Sequence, residues 1–489
     1  MRQWLSGCHC ISRSHATQIG HESPAMTDTD SRAHAGPAVP DGAGTPLALA
    51  ALLSGTLVGT VSNNVVNVPM PAILAEFDAP LGSGVFVVVG FLMTFTATMP
   101  LVGWIGDRFG RRRVYCASMI ATAVCAIGAA TAPSLELLIL WRCLGGAAAS
   151  ALGPAVLGLL TWLFAGERRG KAVGMWASVN GIGQAIGPTM GGFIADGWGW
   201  RWVFVPLVPV ALAGFVGTLL HIARHPGTKM RFDTIGATAL TLGSGLLILG
   251  VALIPRQGLS VVVAVAVTVA VAVLVFFVRH CLRVPEPFVD VRLVAEARFV
   301  RSTLGAFAFM FSLGATLLAV PLYLVGTGRT GSLAGVVLLA IPASMVILGP
   351  LVGRYLDRIG ARRVLRTGLA LLIVGQALLA GAVGSHLVEE RWGLAGFVAI
   401  LVLIGIGTAF VQTPATTGAT RSPAGAQGTG LGLFNLVRFG GSAMGAAWVA
   451  IALGFGSTTG FTLAFAMVSG VAVLGLLSSF IGPDPAPER

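Results

Sequence analysis

Gly103-Trp104-Ile105-Gly106-Asp107-Arg108-Phe109-Gly110-Arg111-Arg112-Arg113 is a short basic hinge between two long apolar runs. Each run is long enough to cross a bilayer, which takes about 20 apolar residues. The hinge itself is too polar to stay in one. A close copy, Gly353-Arg354-Tyr355-Leu356-Asp357-Arg358-Ile359-Gly360-Ala361-Arg362-Arg363, recurs 250 positions later, and both read G-x-x-x-D-R-x-G-x-R-R. Gly110 and Gly360 let the chain turn where a Cβ would clash. Asp107 and Asp357 can pair with neighbouring guanidinium groups or cap a helix start. The arginines belong among lipid headgroups and hold the hinge on the cytoplasmic side. An ordinary basic turn would account for either copy alone. Recurrence at the same place in each half of the chain argues for a duplicated device.

The composition agrees with a lipid solvent. Of 489 residues 55% are hydrophobic and only 10% charged, where a soluble domain carries roughly 25% charged residues. The net charge of +12 does not point to nucleic acid, because the basic residues sit in short loops between apolar runs, where they set orientation. Cys8-His9-Cys10 lacks a second ligand pair at finger spacing, so no metal site is expected. The remaining cysteines lie in or beside apolar runs and read as small apolar side chains.

Residues 1–45 are polar, without apolar periodicity, and are expected to be a disordered cytoplasmic tail. Met26 opens a plausible alternative start. From Pro46 the apolar runs follow one another near 46–70, 82–104, 113–132, 135–164, 171–195, 200–223, 234–254, 259–279, 299–326, 331–352, 363–384, 393–418, 428–452 and 458–481. That makes fourteen expected spans, all helical, since spanning strands would be shorter and alternate. With the N-terminus inside, the inward loops carry 21 Lys or Arg and the outward connections carry four, Arg201, Arg256, Arg329 and Arg391. This bias supports fourteen spans with both termini cytoplasmic.

The hinges follow the second and tenth spans. They resemble the signature loop between helices two and three of the major facilitator superfamily and its counterpart in the other half. Setting spans seven and eight aside leaves two sets of six, as a parallel duplication predicts. The whole resembles the fourteen-span drug:proton antiporter branch of that superfamily. The resemblance implies an all-α integral membrane protein with the major facilitator fold. Its 14 transmembrane helices would form two six-helix bundles, 46–223 and 299–482. Two inserted helices and a loop would fill 224–298, and a short cytoplasmic tail 483–489. It further implies alternating access, a proton gradient in place of any cofactor, and a monomer in the lipid bilayer.

Span five carries Gly183, Gly187 and Gly191 at spacing four, so a neighbouring helix can approach closely along that face. Pro188 removes a backbone donor and can bend the helix. The string Gly183-x-x-x-Gly187-Pro188-x-x-Gly191-Gly192 is similar to the antiporter motif of superfamily exporters, and Trp200-Arg201-Trp202-Val203-Phe204 also fits that branch.

Two arginines, Arg142 in span four and Arg438 in span thirteen, lie within apolar runs, where a cation is expensive and is a functional candidate by default. The resemblance implies proton coupling for Arg142, although Gly145 stands where that branch has glutamine. The alternative for Arg142 is hydrogen bonding to backbone carbonyls. Ser62-Asn63-Asn64-Val65-Val66-Asn67-Val68-Pro69 is similar to the first-helix motif of the branch, with Ser62 in place of its acid. None of the 19 acidic residues falls in the middle of an expected span. The central cavity is therefore expected to hold no carboxylate, which disfavours a cationic cargo. Coupling then falls to an Asp107/Arg142 neighbourhood near the cytoplasmic end, or to a mechanism that needs no side-chain carboxylate. The expected cavity residues are Ser62, Asn63, Asn64, Asn67, Asn180, Gln184, Phe307, Phe311, Gln412, Asn435 and Arg438, although each amide could equally tie helices together. Val-Ala repetition in 261–278 reads as lipid-exposed filler, away from any transport path.

These readings converge on a secondary transporter of the cytoplasmic membrane, with proton-coupled efflux of hydrophobic small molecules. Gly103, Asp107, Arg108, Gly110 and Arg111, with Asp357, Arg358, Gly360 and Arg362, would form its cytoplasmic gate. An exporter or flippase of a lipid or anionic natural product is the nearest rival, then a uniporter or importer. An enzyme is unsupported: no in-span acid pair and no H-E-x-x-H is present, and no P-loop string would feed an ATP-driven pump.

Overall fold

The computed structural model describes residues 45–164, 166–223, 233–386, 388, 392–426 and 428–482. The expected tail up to residue 44, the loop 224–232, Arg391 and the segment 483–489 lie outside the described residues. Within them, regular structure is entirely helical. The helices are α1 (Pro46–Asn64), α2 (Met70–Glu76), α3 (Leu81–Gly84), α4 (Phe86–Phe109), α5 (Arg111–Ala130), α6 (Leu135–Ala149), α7 (Leu152–Leu163), α8 (Gly166–Trp198), α9 (Leu207–His221), α10 (Thr234–Gln257), α11 (Val261–Arg283), α12 (Val291–Val294), α13 (Ala297–Gly326), α14 (Gly331–Leu338), α15 (Ala340–Ile359), α16 (Ala361–Gly384), α17 (Gly393–Thr420), α18 (Gly428–Leu453) and α19 (Ser457–Ser478).

Thirteen helical segments among the described residues are long and apolar enough to cross a membrane, some formed by two consecutive helices. The expected fifth span, 171–195, falls inside α8, which is not one of the thirteen. That helix opens on Glu167-Arg168-Arg169 and is rich in glycine, which dilutes its apolar character. The expected first span, 46–70, is also too long. It ends at Asn64 and passes through a turn before α2, because Pro69 has no backbone N–H to continue the helix and disfavours helical backbone in the residue just ahead of it.

Local chemistry places the helix starts. Thr45, Ser134, Asp233, Ser260 and Thr330 each accept a hydrogen bond from the backbone N–H three residues on, the N-cap arrangement. Gly110 and Gly360 both sit at positive φ, 93° and 85°, so each hinge turns in a conformation that other residues rarely adopt.

Helices α1 to α9 pack chiefly on one another, α1 against α8 and α9, and α4 against α6. Helices α13 to α19 do the same, with α13 on α18 and α16 on α17. The two groups meet through α4 on α18 and α8 on α14, while α10 bridges α4 and α18. Glycines set the direction of these pairings. Gly432 faces Pro100 and Gly440 faces Thr96, so α18 runs antiparallel to α4 and starts beside its Asp107 end. Gly368 meets Phe410 and Gly375 meets Ile404, so α16 starts where α17 ends. Both hinges therefore lie at one end of the molecule, the hinge end below.

Candidate functional site

A cavity of about 1210 Å³ lies between the two helix groups. Its lining runs from Asn63 and Asn64 on α1, Gln184 on α8 and Leu317 on α13 to Gly103, Asp107 and Arg111 at the hinge end. The Arg111 and Asp107 side chains there are 36% and 38% exposed, and Pro285 and Glu286 on the same lining are exposed. The cavity thus opens at the hinge end. Met99, Met310, Leu313, Met345 and Phe95 make an apolar wall, adaptable because thioethers and rings repack readily.

Of the expected cavity residues, Asn63, Asn64, Asn180, Gln184, Gln412, Asn435 and Arg438 line it. Ser62, Asn67, Phe307 and Phe311 do not. Ser62 and Asn67 are buried, and the Ser62 carbonyl takes a hydrogen bond from Arg142. Phe307 and Phe311 belong to a helix seam: the glycine positions 441 and 445 of α18 press on their backbones. Asn180 and Gln184 join by a 2.8 Å bond along α8. Gln376, another in-span amide, is a helix tie, donating to Ser312 Oγ and Thr316 Oγ1 at 2.7 and 2.9 Å.

The two in-span arginines have different surroundings. Arg142 is 3% exposed. It donates from Nε to the Val87 carbonyl at 2.9 Å and from one terminal nitrogen to the Ser62 carbonyl at 2.7 Å, and lies 4.3 Å from the Phe91 ring centroid. Ser62 carries one of the last four carbonyls of α1, groups that a helix leaves without an internal partner. Arg142 therefore caps α1 from another helix, a cation at the negative end of its dipole. The expected Asp107/Arg142 neighbourhood does not exist. Val87 and Asp107 are twenty residues apart on α4, about 30 Å of helix, and Arg142 is not part of the cavity lining. Arg438 does line the cavity, set over the rings of Phe439 and Phe309 at 5.0 and 5.5 Å.

At the hinge end Asp107 pairs with Arg111 at 2.8 Å, the expected i,i+4 contact. Arg108 instead stands over Trp104 and Phe109, at 5.5 and 5.9 Å. In the second hinge Arg362 donates to the Ser479 carbonyl at 2.8 Å, Arg358 is exposed, and the Asp357 side chain lies outside the described residues.

Among the described residues the lining carries no carboxylate deep inside, but the expectation of a carboxylate-free cavity fails at the mouth. Asp107, Asp233, Glu286 and Asp290 all line the hinge end. The 261–278 stretch is largely exposed and none of it lines the cavity, as expected of lipid-facing filler, whereas Asp233 at the start of α10 and the loop after α11 do form part of the lining. Asp233 gathers that corner: its carboxylate accepts from Gly236 N at 2.8 Å and Phe288 N at 3.1 Å, and stands 2.8 Å from His280 Nε2. Burial pushes the Asp233 carboxyl up, but these hydrogen bonds outweigh it and hold the group below its usual value. The N-cap position of Asp233 before an apolar run was visible in the sequence. Its partner His280, 47 residues away, carried no local signal.

At the far end α8 and α14 seal the cavity. A Cβ on Gly183, Gly187 or Gly191 would meet Thr60, Asn64 or the Val65 carbonyl of the α1 strip, so this face of α8 lies directly on α1. Gly192 lies against Gly331, and Gly335 against the Pro188 carbonyl. Pro188 sits inside α8 without ending it. Asp196 accepts from Ser332 N and Oγ, both at 2.6 Å, tying the two helix groups together. Beside it Glu76 receives Trp200 Nε1 at 2.6 Å and pairs with Arg201. The Arg201 bond holds the Glu76 carboxyl below its usual value.

A many-helix membrane protein with a large cavity open at one end has the architecture of a carrier. The chain belongs to the Major Facilitator Superfamily, whose family model matches residues 52–446 and 303–489; it is a transporter and not an enzyme. It is 28% identical over 411 residues to the uncharacterized MFS-type transporter Rv1250 of Mycobacterium tuberculosis, covering 82% of this chain and 69% of that one. The multidrug resistance protein Stp of the same organism is 28% identical over 402 residues, covering 80% and 74%. Its drug efflux pump JefA is 27% identical over 402 residues, covering 81% and 78%. Among solved structures, a POT family transporter in complex with 5-aminolevulinic acid aligns with a TM-score of 0.65 at 14% identity, over 90% of this chain and 95% of that one. That likeness is one of fold.

Proposed function

We propose that the protein is a proton-coupled exporter of hydrophobic small molecules in the cytoplasmic membrane. The observation that carries this reading is the cavity, apolar-walled and dotted with amides, open at the hinge end and sealed at the α8/α14 seam. With α8 taken as a span, the chain has fourteen spans and both termini in the cytoplasm. Residues 46–223 and 299–482 form two six-helix bundles, and 224–298 the inserted pair and loop. The open hinge end then faces the cytoplasm, and the bundles rock about the cavity in alternating access. Relatives named for multidrug resistance and drug efflux support the direction and the cargo class. The Asp107–Arg111 pair, its counterpart around Asp357, Arg358 and Arg362, and the turns at Gly110 and Gly360 latch the cytoplasmic face when the molecule opens outward. Asp107 and the Asp233–His280 pair, all near the mouth, are the candidate proton carriers.

The test is transport in proteoliposomes under an imposed pH gradient, with neutral and charged fluorescent amphiphiles. Efflux should require the gradient. Asp107→Ala should cut it by about tenfold or more while insertion and thermal stability stay unchanged, because an exposed i,i+4 pair contributes only about 0.3–0.5 kcal/mol. Unchanged efflux in that variant removes the latch, and gradient-independent transport removes the coupling. A second reading, export of an anionic amphiphile or lipid, is favoured by the cavity position of Arg438.

A further inference from the structure

Resting on the exporter reading, we propose that Arg438 forms an anion-binding subsite in the cavity, and that the cargo is an amphiphile with one anionic headgroup, carboxylate or phosphate, on an apolar body. Arg438 stands ten residues into α18, about 15 Å of helix from Gly428, well inside the mouth. Its guanidinium keeps its charge in a protein setting. Among the described residues no carboxylate lies within ion-pair distance of it, and its buried Nε has no hydrogen-bond partner. The rings of Phe309 and Phe439 supply a π face, which is no substitute for a counter-ion.

Arg142, whose role is structural, spends Nε and one terminal nitrogen on two backbone carbonyls away from the cavity, leaving only its other terminal nitrogen unpartnered. Arg438 has neither feature. The carboxylates of the mouth do not compensate it. Asp107 is committed to Arg111, Asp233 to His280 and two backbone N–H groups, Asp290 accepts from Arg292 N, and Glu286 stands exposed at the outer rim. Asn435, one turn from Arg438 toward the mouth and on the same lining, adds an amide donor for a headgroup oxygen. Met310 and Leu313 on the facing α13 wall suit the apolar body. A cation held in a low-dielectric cavity without its partner is best satisfied by a ligand that brings the charge.

The experiment compares binding of 11-(dansylamino)undecanoate and its methyl ester to the purified full-length protein. The wild type should bind the carboxylate about tenfold more tightly than the ester, the effect of a hydrogen-bonded charge pair. Arg438→Gln should bring the carboxylate down to the level of the ester while ester binding, which reports folding, is unchanged. Should Arg438→Gln fail to fold, Arg438→Lys, which keeps the charge but loses the planar fork, should retain a reduced preference. Equal binding of both probes to the wild type, or a preference that survives Arg438→Gln or is untouched by Arg438→Lys, overturns the proposal. Proteoliposome transport of the ester separates the two readings: ester movement without carboxylate preference sinks the subsite alone, and movement of neither probe sinks the exporter reading. Short-chain fluorescent phosphatidylglycerol, against phosphatidylcholine, identifies the source. Arg438-dependent flipping of the former assigns the headgroup to a membrane lipid, and its absence beside a carboxylate preference assigns a soluble amphiphile; both outcomes support the subsite.

Discussion

Arginines and aspartates in this protein are told apart by what they touch. Arg142 bonds the Ser62 and Val87 carbonyls, so replacing it strands acceptors in an apolar setting, at about 1–3 kcal/mol. Arg142→Leu is expected to lower the thermal midpoint by several degrees and to depress transport of every cargo alike. Scanning fluorimetry and a cargo panel check both, and a cargo-selective defect would restore a coupling or binding role. Asp233 allows a pH prediction. Its folded-state carboxyl titrates below the 3.8 of a free aspartate. The stability it contributes is therefore present above that pH and lost as acid protonates the group in the fold. The stability gap between wild type and Asp233→Asn, followed from about pH 8 to 3, should narrow below about pH 4 as acid protonates the carboxylate. Thermal denaturation across that range measures it, and widening toward acid would contradict the sign.

At the scale of elements, the decisive pairing is α8 with its two neighbours. One face of this helix lies on α1 through Gly183, Gly187 and Gly191, while Pro188 and Gly192 meet α14. A Cβ at position 191 would fall on the Val65 carbonyl, backbone that cannot swing aside. Gly174, on the same helix, has open space around it. Gly191→Ala is therefore expected to abolish recovery of folded protein. Gly174→Ala should leave it unchanged or slightly raised, by about 0.5–1 kcal/mol, from the better helix propensity of alanine. Monodisperse yield on size exclusion distinguishes them, and equal behaviour would mean that the α1–α8 seam can spread. The glycine spacing was legible in the sequence because it is local and periodic. That Gly335 would complete the seam from α14 was not, because nothing near residue 335 announces a partner 147 positions away.

For the whole molecule, the two hinges share one end, although 250 residues separate them. With the six native cysteines replaced by alanine, Arg113→Cys and Arg363→Cys should both react with an impermeant maleimide in inside-out vesicles and not in intact cells, whereas Gln257→Cys should do the reverse. Labelling of the two hinges from opposite sides would overturn the orientation. The seal at the far end and the opening at the hinge end together describe one access state; under the proposed alternating access, the α8/α14 seam would part while the hinge latches close.

The all-helical class, the order of most apolar runs, the duplicated hinges and the polar residues suited to a cavity were legible in the sequence alone. Apolar length, glycine at positive φ and basic loop charge act over a few residues and do not wait for packing. Only the tertiary structure decided which polar groups share the cavity. It turned Arg142 into a cap for α1, sent Phe307 and Phe311 into a helix seam, left Arg438 facing open space, and brought the inserted-helix acids to the mouth. Those outcomes depend on which side of each helix faces a neighbour, and that is fixed by close contacts between segments far apart in the chain.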